Sequence, residues 1–202
     1  MNKPLTAASL LAVAGMLLMG ALPVFPTSYT LQSDASSMHV EGTSTLHDWS
    51  CPVGAMEGSF QIDTSSTASA PISGIRRAHM SVPVEQIDCD NGTMNDKLRE
   101  ALQVNAYPTV IYTLESAELQ PLPDSTARWF KMQTTGELIV AGARNQIDMT
   151  VKGQRLGDGR LRFVGQKALK LSAFDVERPS AMLGAIKTGD EVTVHFDVAA
   201  AP

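Results

Sequence analysis

Apolar and polar residues alternate with a period of two along most of the chain after residue 28. This is the period of a β-strand with one buried and one solvated face, which is typical of antiparallel sheet. The clearest example is the C-terminal segment, whose apolar positions are Val192, Val194, Phe196 and Val198. Seven further segments alternate in the same way, at residues 38–42, 60–62, 80–84, 110–114, 136–140, 147–151 and 161–163. The pattern therefore predicts eight antiparallel strands.

One segment follows the period of an α-helix instead. Its apolar residues are spaced at i, i+4, i+7 and i+8, at Met94, Leu98, Ala101 and Leu102. Thr93 and Asp96 resemble a capping box at its start, and Asn105 supplies a stop. We predict a single amphipathic helix of about three turns that covers one end or one edge of the sheet.

The connections between these segments also favour a β fold. Gly157-Asp158-Gly159 predicts a tight hairpin, and residues 65–70 and 121–125 have the composition of loops. Eight strands with one apolar face either close into a barrel or stack as a sandwich. An eight-stranded barrel in turn either fills itself or holds one small ligand. The strand pattern alone leaves these alternatives open.

The first 28 residues differ from the rest of the chain. Lys3 is the only charged residue before Asp34, and residues 5–22 form an almost uninterrupted apolar stretch. A basic start followed by an apolar segment is typical of a secretory signal peptide. We expect residues 1–28 to be a signal peptide and residues 29–202 to be a periplasmic or secreted domain without a stable membrane span. A retained anchor is the alternative, because about 18 apolar residues approach the lower limit for spanning a bilayer.

Composition narrows the class of protein. The 202 residues suffice for one domain, and 44% hydrophobic with 18% charged residues is ordinary for a globular protein. The net charge is −5 and the basic residues are scattered along the chain. Nucleic acid is therefore not an expected partner, because its phosphates require a basic stripe. A homodimer is left open.

Cys51 and Cys89 are the two cysteines of the chain. In an oxidising compartment such a pair is expected to form a disulfide, closing a loop of about 38 residues and contributing about 3–4 kcal/mol. The alternative is two unrelated buried thiols. The spacing is not that of a Cys-x-x-Cys redox or metal motif, which disfavours a catalytic thiol.

Residues that could carry catalysis are scarce. The hydrolase elbow, zinc-protease, phosphate-loop and dinucleotide motifs do not occur in the sequence. His39, His79 and His195 fall on the polar strand phase, so we expect them to face solvent and to point away from a shared metal site. The neighbouring His47 and Asp48 fit a polar turn better than a general base with its orienting carboxylate. The sequence thus predicts a protein that is not an enzyme, with no catalytic residue, metal or cofactor.

Among the apolar residues, methionine and tryptophan bear most directly on whether the interior binds a ligand. Methionine fills irregular gaps or lines pliable binding surfaces, and both roles stay open here. Trp49 suits a barrel core or mouth, because its ring is amphipathic. The methionines of the predicted domain include Met38, Met56, Met80, Met94, Met132, Met149 and Met182.

Four stretches carry a family resemblance. They are GTSTLHDW at residues 42–49, MNDKL at 94–98 continuing to AYPTVIY at 106–112, TGELIVAG at 135–142, and KLSAFD at 170–175 followed by GDEV at 189–192. In this order and spacing the chain resembles the YceI-like family of periplasmic, lipocalin-like proteins. The resemblance implies an all-β fold with one helix, an eight-stranded antiparallel lipocalin-like β-barrel. It also implies a long apolar channel for an isoprenoid or isoprenoid-quinone chain and no catalytic residues.

The resemblance yields a functional hypothesis with one alternative. The hypothesis is a non-catalytic periplasmic carrier whose partner is an isoprenoid or another long-chain amphiphile. The alternative is a filled barrel that acts as an interaction module for another protein or a surface polymer. The ligand contacts that the family pattern and the strand phase imply are Trp49, Phe60, Met80, Leu98, Leu114, Leu138, Phe163 and Phe174.

Overall fold

A computed structural model describes residues 25–64, 72–121, 129–181 and 185–202 of the chain. These residues form β-strands, an α-helix and short 3-10 turns at Ser33–Ala35, Val84–Gln86 and Leu171–Phe174. The helix, α1, spans Gly92–Ala101. The strands are β1 (Phe25–Leu31), β2 (Ser37–Ser44), β3 (Trp49–Pro52), β4 (Glu57–Thr64), β5 (Ile72–Pro83), β6 (Thr109–Pro121), β7 (Trp129–Val140), β8 (Ala143–Arg155), β9 (Leu161–Lys170), β10 (Ser180–Ala181) and β11 (Ile186–Ala201).

The strands close into a ring. Neighbours in the order β1-β4-β5-β6-β7-β8-β9-β11 pair antiparallel, and β11 returns to β1 through the pairs Thr30–Ala201 and Leu31–Ala200. The fold is a closed eight-stranded antiparallel β-barrel with one helix, as predicted. Closure gives each barrel strand two neighbours, which is how all-β proteins remove exposed sheet edges.

Two positions in the ring are each shared by two short strands. β1 and β2 follow one another along the same edge of β11, separated by the 3-10 turn at Ser33–Ala35. β4 pairs with β1 and β3 pairs with β2, so the next position is divided as well. The wall near β11 therefore consists of two stacked strand pairs.

The eight predicted segments all lie in strands, except that Val84 falls in the 3-10 turn after β5. The period-two signal missed β3 and β10, which have four and two residues, and it missed β1. β1 includes residues 25–28 of the predicted signal peptide, and residues 1–24 lie outside the described ranges. The predicted hairpin is confirmed by the bond from Leu156 N to Arg160 O (2.8 Å). The predicted loop at 65–70 and residues 122–125 of the predicted loop at 121–125 lie outside the described residues. The loop prediction is wrong for Pro121, which pairs with Phe130 at the end of β6.

Helix α1 is present where the apolar stripe predicted it, but its ends differ. The Asn91 side chain caps the helix by accepting a hydrogen bond from Met94 N (3.0 Å). The capping box predicted around Thr93 is therefore wrong, since asparagine is among the strongest N-cap residues and stands earlier. The helix ends at Ala101, before the predicted stop at Asn105. Within the described ranges, no helix is long and apolar enough to cross a membrane.

A disulfide ties α1 to the barrel wall. Cys51 of β3 is bonded to Cys89 just before the helix, with a Cα–Cα distance of 4.1 Å, so the predicted bridge is confirmed. Asn95 reinforces this junction: its side chain accepts from Cys89 N (2.8 Å) and donates to Asp88 Oδ1 (2.8 Å). The start of the helix is thus held covalently and by hydrogen bonds.

The two ends of the barrel are unlike. At the end of the β8–β9 hairpin, here called the base, the interior is filled by side chains such as Ile62 and Leu161, both 0% exposed. At the opposite end, here called the mouth, lie α1 and the 3-10 turn Leu171–Phe174. The base forms the solid core, and the mouth end has room for a site.

Candidate ligand-binding cavity

The barrel encloses a cavity of about 270 Å³ between the base and the mouth. Strands β2 to β9 and β11, together with α1 and the turn Leu171–Phe174, all contribute lining side chains. Toward the base, the Phe60 and Phe163 rings stack with centroids 5.4 Å apart, and Phe130 meets Phe163 edge-on at 6.5 Å. These arrangements are favourable for aromatic pairs and give the cavity a firm floor.

The helix and the adjacent 3-10 turn form the roof. Met94, Leu98 and Leu102 line the cavity from the helix side, so the predicted apolar stripe does cover a barrel end. Phe174 is buried against Leu138 and closes the roof from the other side. Within α1 itself no residue is fully buried. The helix side of the roof is therefore less completely buried than the floor.

All eight residues predicted to contact a ligand line this cavity, and their part in binding stays a prediction. Further lining residues were missed, although most share the inward strand phase and could have been found by extending it. Five of the predicted methionines also lie in the wall. The additional lining residues include Met38, Val40, Ile75, Val82, Val110, Tyr112, Met132, Val140, Met149, Val192, Val194 and Phe196.

One hydroxyl pair interrupts the apolar wall. The Thr134 hydroxyl donates to the Met149 carbonyl (3.1 Å), whereas the Tyr112 hydroxyl is buried without a hydrogen-bond partner of standard geometry among the described residues. Burial raises the pKa of Tyr112, an effect that the neighbouring Thr134 partly offsets. The phenol therefore keeps its proton at neutral pH beside Thr134 in the cavity wall.

The barrel wall is open between β8 and β9 near the mouth. These two fully described strands pair only from Arg155–Leu161 to Val151–Gly165, and beyond that point each pairs only with its other neighbour. The Lys167 side chain lines the cavity, and its Nζ donates to the Asp148 carbonyl of β8 (2.7 Å). An ammonium group thus bridges the gap where a strand ladder would otherwise continue.

Aromatic rings of the wall lie flat against glycines on the neighbouring strand. Phe196 faces Gly165 across β9 and β11, and a Cβ at Gly165 would be only 2.6 Å from Phe196 Cζ. Trp49 faces Gly42 in the same way, with a hypothetical Cβ 2.2 Å from Cζ2, and its indole N–H donates to Thr43 O (3.1 Å). Because glycine has no side chain, these rings rest on the backbone and leave the cavity free.

The model of the YceI-like domain matches residues 29–200. The chain belongs to the YceI-like family. Among curated proteins, none matches the chain significantly.

Solved structures share the fold of this YceI-like domain. BcnA of Burkholderia cenocepacia has a TM-score of 0.63 at 17% identity, over 85% of this chain and 99% of BcnA. A polyisoprenoid binding domain from Saccharophagus degradans, implicated in plant cell wall breakdown, has a TM-score of 0.66 at 16% identity, over 86% of this chain and 98% of that one. The Campylobacter jejuni YCEI protein has a TM-score of 0.50 at 17% identity, over 70% and 79%. At these identities the likeness concerns the fold alone.

The polar pair His47 and Asp48 lies outside the cavity of this YceI-like domain. Both residues are exposed in the turn between β2 and β3, where Ser44 Oγ donates to His47 O (2.7 Å). The His47 ring lies against the Asp48 carbonyl (Nδ1···O 2.7 Å) and not against its carboxylate. The prediction of a turn is confirmed, and this geometry gives no general base with an orienting carboxylate.

Near the mouth, Asp190 fastens the roof to β11. Its carboxylate accepts from Ser172 Oγ (2.7 Å) and from Ser172 N (2.9 Å). These hydrogen bonds hold the pKa of the Asp190 carboxyl below its ordinary value, because they stabilise the charged form. The turn Leu171–Phe174 is thereby anchored through a charge.

The outward histidines depart from one expectation. His39, His79 and His195 lie on the outer face, as the strand phase predicted. The prediction that all three point away from a shared site is wrong, because His39 and His195 are partners in the β2–β11 register and their rings stack at 4.7 Å. Strand phase gives the face of a residue but not its cross-strand neighbour.

Proposed function

We propose that this YceI-like protein is a non-catalytic carrier that holds one isoprenoid or other long-chain amphiphile in its barrel cavity. The observation that carries the proposal is the cavity inside the barrel, whose wall is built almost wholly of aliphatic, methionine and aromatic side chains. Burying an apolar chain there gains roughly 25 cal/mol for each Å² removed from water. A preformed cavity also avoids the cost of ordering loops around the ligand.

The polar groups of the wall support an amphiphile over a pure hydrocarbon. Lys167 lies at the gap between β8 and β9, where its ammonium group can meet an anionic or hydrogen-bond-accepting head group. Half-buried apolar side chains, Ile147, Met149 and Leu169, line the same opening. We infer that a chain enters sideways through this gap, its tail toward the phenylalanine floor and its head near Lys167.

The related structure from Saccharophagus degradans is described as a polyisoprenoid binding domain, which supports the isoprenoid class for this chain. The alternative of a barrel that serves only as an interaction module implied an interior packed solid throughout. The cavity of about 270 Å³ argues against that alternative. The exposed position of His47 and Asp48 supports a role without catalysis.

We also propose that the carrier works outside the cytoplasm. The apolar N-terminal segment and the disulfide support this, because disulfides persist mainly in oxidising compartments. Amino-terminal sequencing of the protein from a periplasmic extract and from whole cells checks it. The expected result is a mature chain that begins near residue 29; an intact chain confined to the cytoplasm would contradict the proposal.

The lipid test uses the protein as purified and a matched pair of variants. Native mass spectrometry and organic extraction identify any retained lipid, and the delipidated protein is then titrated with geranylgeraniol, a C20 isoprenoid alcohol. Met149→Trp places a large ring in the cavity wall, whereas Thr150→Trp places the same ring on the outer face of the same strand. We expect one bound chain in the wild type and in Thr150→Trp, and at least tenfold weaker binding in Met149→Trp.

Two outcomes would count against the carrier. One is a wild type that neither retains a lipid nor binds the C20 probe. The other is a Met149→Trp variant that folds and binds the probe as tightly as Thr150→Trp, which would place the binding site outside the cavity.

A further inference from the structure

A cluster of metal-binding side chains lies on the outer wall of the barrel, apart from the cavity. His39 of β2 and His195 of β11 are direct cross-strand partners. Their rings stack with centroids 4.7 Å apart and planes 6° from parallel. Glu41 stands two residues beyond His39 and therefore projects from the same face.

The Glu41 carboxylate contacts both imidazole rings. Its Oε1 lies 3.2 Å from His39 Nε2, and its Oε2 lies 3.1 Å from His195 Nε2. The side chains are 40%, 50% and 29% exposed for His39, Glu41 and His195, so an ion from solvent can reach them. Two nitrogen donors and one carboxylate thus converge without any ligand having to leave a buried position.

The spacing of these atoms suits a small tetrahedral ion. Ligand atoms on tetrahedral zinc lie about 2.0–2.1 Å from the metal and hence about 3.3 Å from one another. Each of the two Glu41 contacts, one made by Oε1 and the other by Oε2, is already close to this length. One ligand atom from each of the three residues lies within 4.8 Å of the other two. A modest rotation of one ring completes three ligands of a site, and the fourth position faces solvent.

We propose that His39, Glu41 and His195 form a surface site for one divalent transition-metal ion of the zinc type. Two imidazoles and one glutamate are a common zinc ligand set, whereas magnesium and calcium prefer oxygen ligands alone. On binding, each imidazole must offer an Nε2 lone pair, so the Nε2 proton passes to Nδ1 or to water. The ion would join β2 to β11 on the outer face of the barrel.

Isothermal titration of the tag-free protein with zinc chloride tests the proposal. We expect one equivalent of zinc to bind the wild type and magnesium not to bind. Loss of a residue that only supports a ligand typically weakens metal binding by about 10–100-fold. His39→Ala and His195→Ala each remove a direct ligand, so we expect zinc binding to weaken by about 100-fold or more. His79→Ala is the matched control, because His79 is also an exposed outer-face histidine, and its ring lies against Thr113 Oγ1 (3.3 Å) instead of in the cluster.

Cobalt substitution gives an independent readout. Intense visible absorption bands at one equivalent of cobalt, lost in His39→Ala, indicate tetrahedral coordination at this cluster. The proposal is overturned if the wild type binds no zinc, if either histidine variant with an unchanged circular dichroism spectrum binds zinc like the wild type, or if the loss follows His79→Ala. None of these outcomes depends on the lipid proposal.

Discussion

Removing the Cys51–Cys89 bond tests how the roof of the cavity is held. The two cysteines are 38 residues apart, and Cys51 is completely buried. For a loop of this length the chain-entropy relation gives about 13 cal/mol/K, or about 3.9 kcal/mol at 25 °C. In a domain of this size each kcal/mol corresponds to about 2–4 °C, so the double variant Cys51→Ala/Cys89→Ala is expected to unfold about 8–16 °C lower.

The assay combines calorimetry with hydrogen exchange. Thermal unfolding of the wild type in the presence of a strong reductant serves as the control, because it opens the bond without changing a side chain's carbon skeleton. Since α1 has no fully buried residue, we also expect the backbone amides of Gly92–Ala101 to exchange faster once the bond is gone. The amides of β7 and β8 should stay better protected than those of the helix. A fall in melting temperature below about 3 °C in both experiments would refute the entropic reasoning. Unchanged exchange in the helix would refute the role of the bond in the roof.

Three smaller perturbations test single contacts. Asn91→Ala removes the helix cap, and we expect a loss of about 1 kcal/mol in urea unfolding; no loss would mean that the cap is replaced by water. Gly165→Ala forces the Phe196 ring off the backbone and is expected to lower the free energy of unfolding in urea by about 1–3 kcal/mol. Gly157→Ala is the control, because a Cβ at Gly157 meets open space and should change the stability little. Asp190 has a folded pKa below the ordinary 3.8, so its hydrogen bonds stabilise the fold above that pH and the benefit disappears as the pH falls through the lowered value. Melting curves of Asp190→Asn are therefore expected to depend less on pH in this acid range, and curves parallel to the wild type would contradict the assignment.

Local alternation was enough to locate most of the barrel strands. In β8, half-buried Asn145, Ile147 and Met149 alternate with exposed residues up to buried Val151, so the period is visible without any partner. β3 escaped because it has four residues, of which only Cys51 is buried. The choice between barrel and sandwich rests on the pairing of Leu31 with Ala200, at opposite ends of the chain, and no local period encodes such a contact.

The candidate sites, too, were only partly predictable from strand phase. Inward phase identified lining residues such as Phe60 and Phe163, because the interior of a barrel collects one face of every strand. Phase could not reveal that β8 and β9 separate near the mouth, since this depends on where the pairing between the two strands stops. It likewise could not pair His39 with His195, which requires the register between β2 and β11.

The separation of β8 and β9 leaves two strand edges in the barrel wall near the mouth. A gap in a barrel recreates what closure removes, two strand edges with unpaired peptide groups, and such edges recruit strands from other molecules. A charged side chain that points inward beside an edge is a recognised defence, because an added strand would have to bury it. Lys167 stands in that position, with its ammonium group occupying the Asp148 carbonyl that an incoming strand would need. An added strand would therefore have to displace this hydrogen bond and bury the ammonium group.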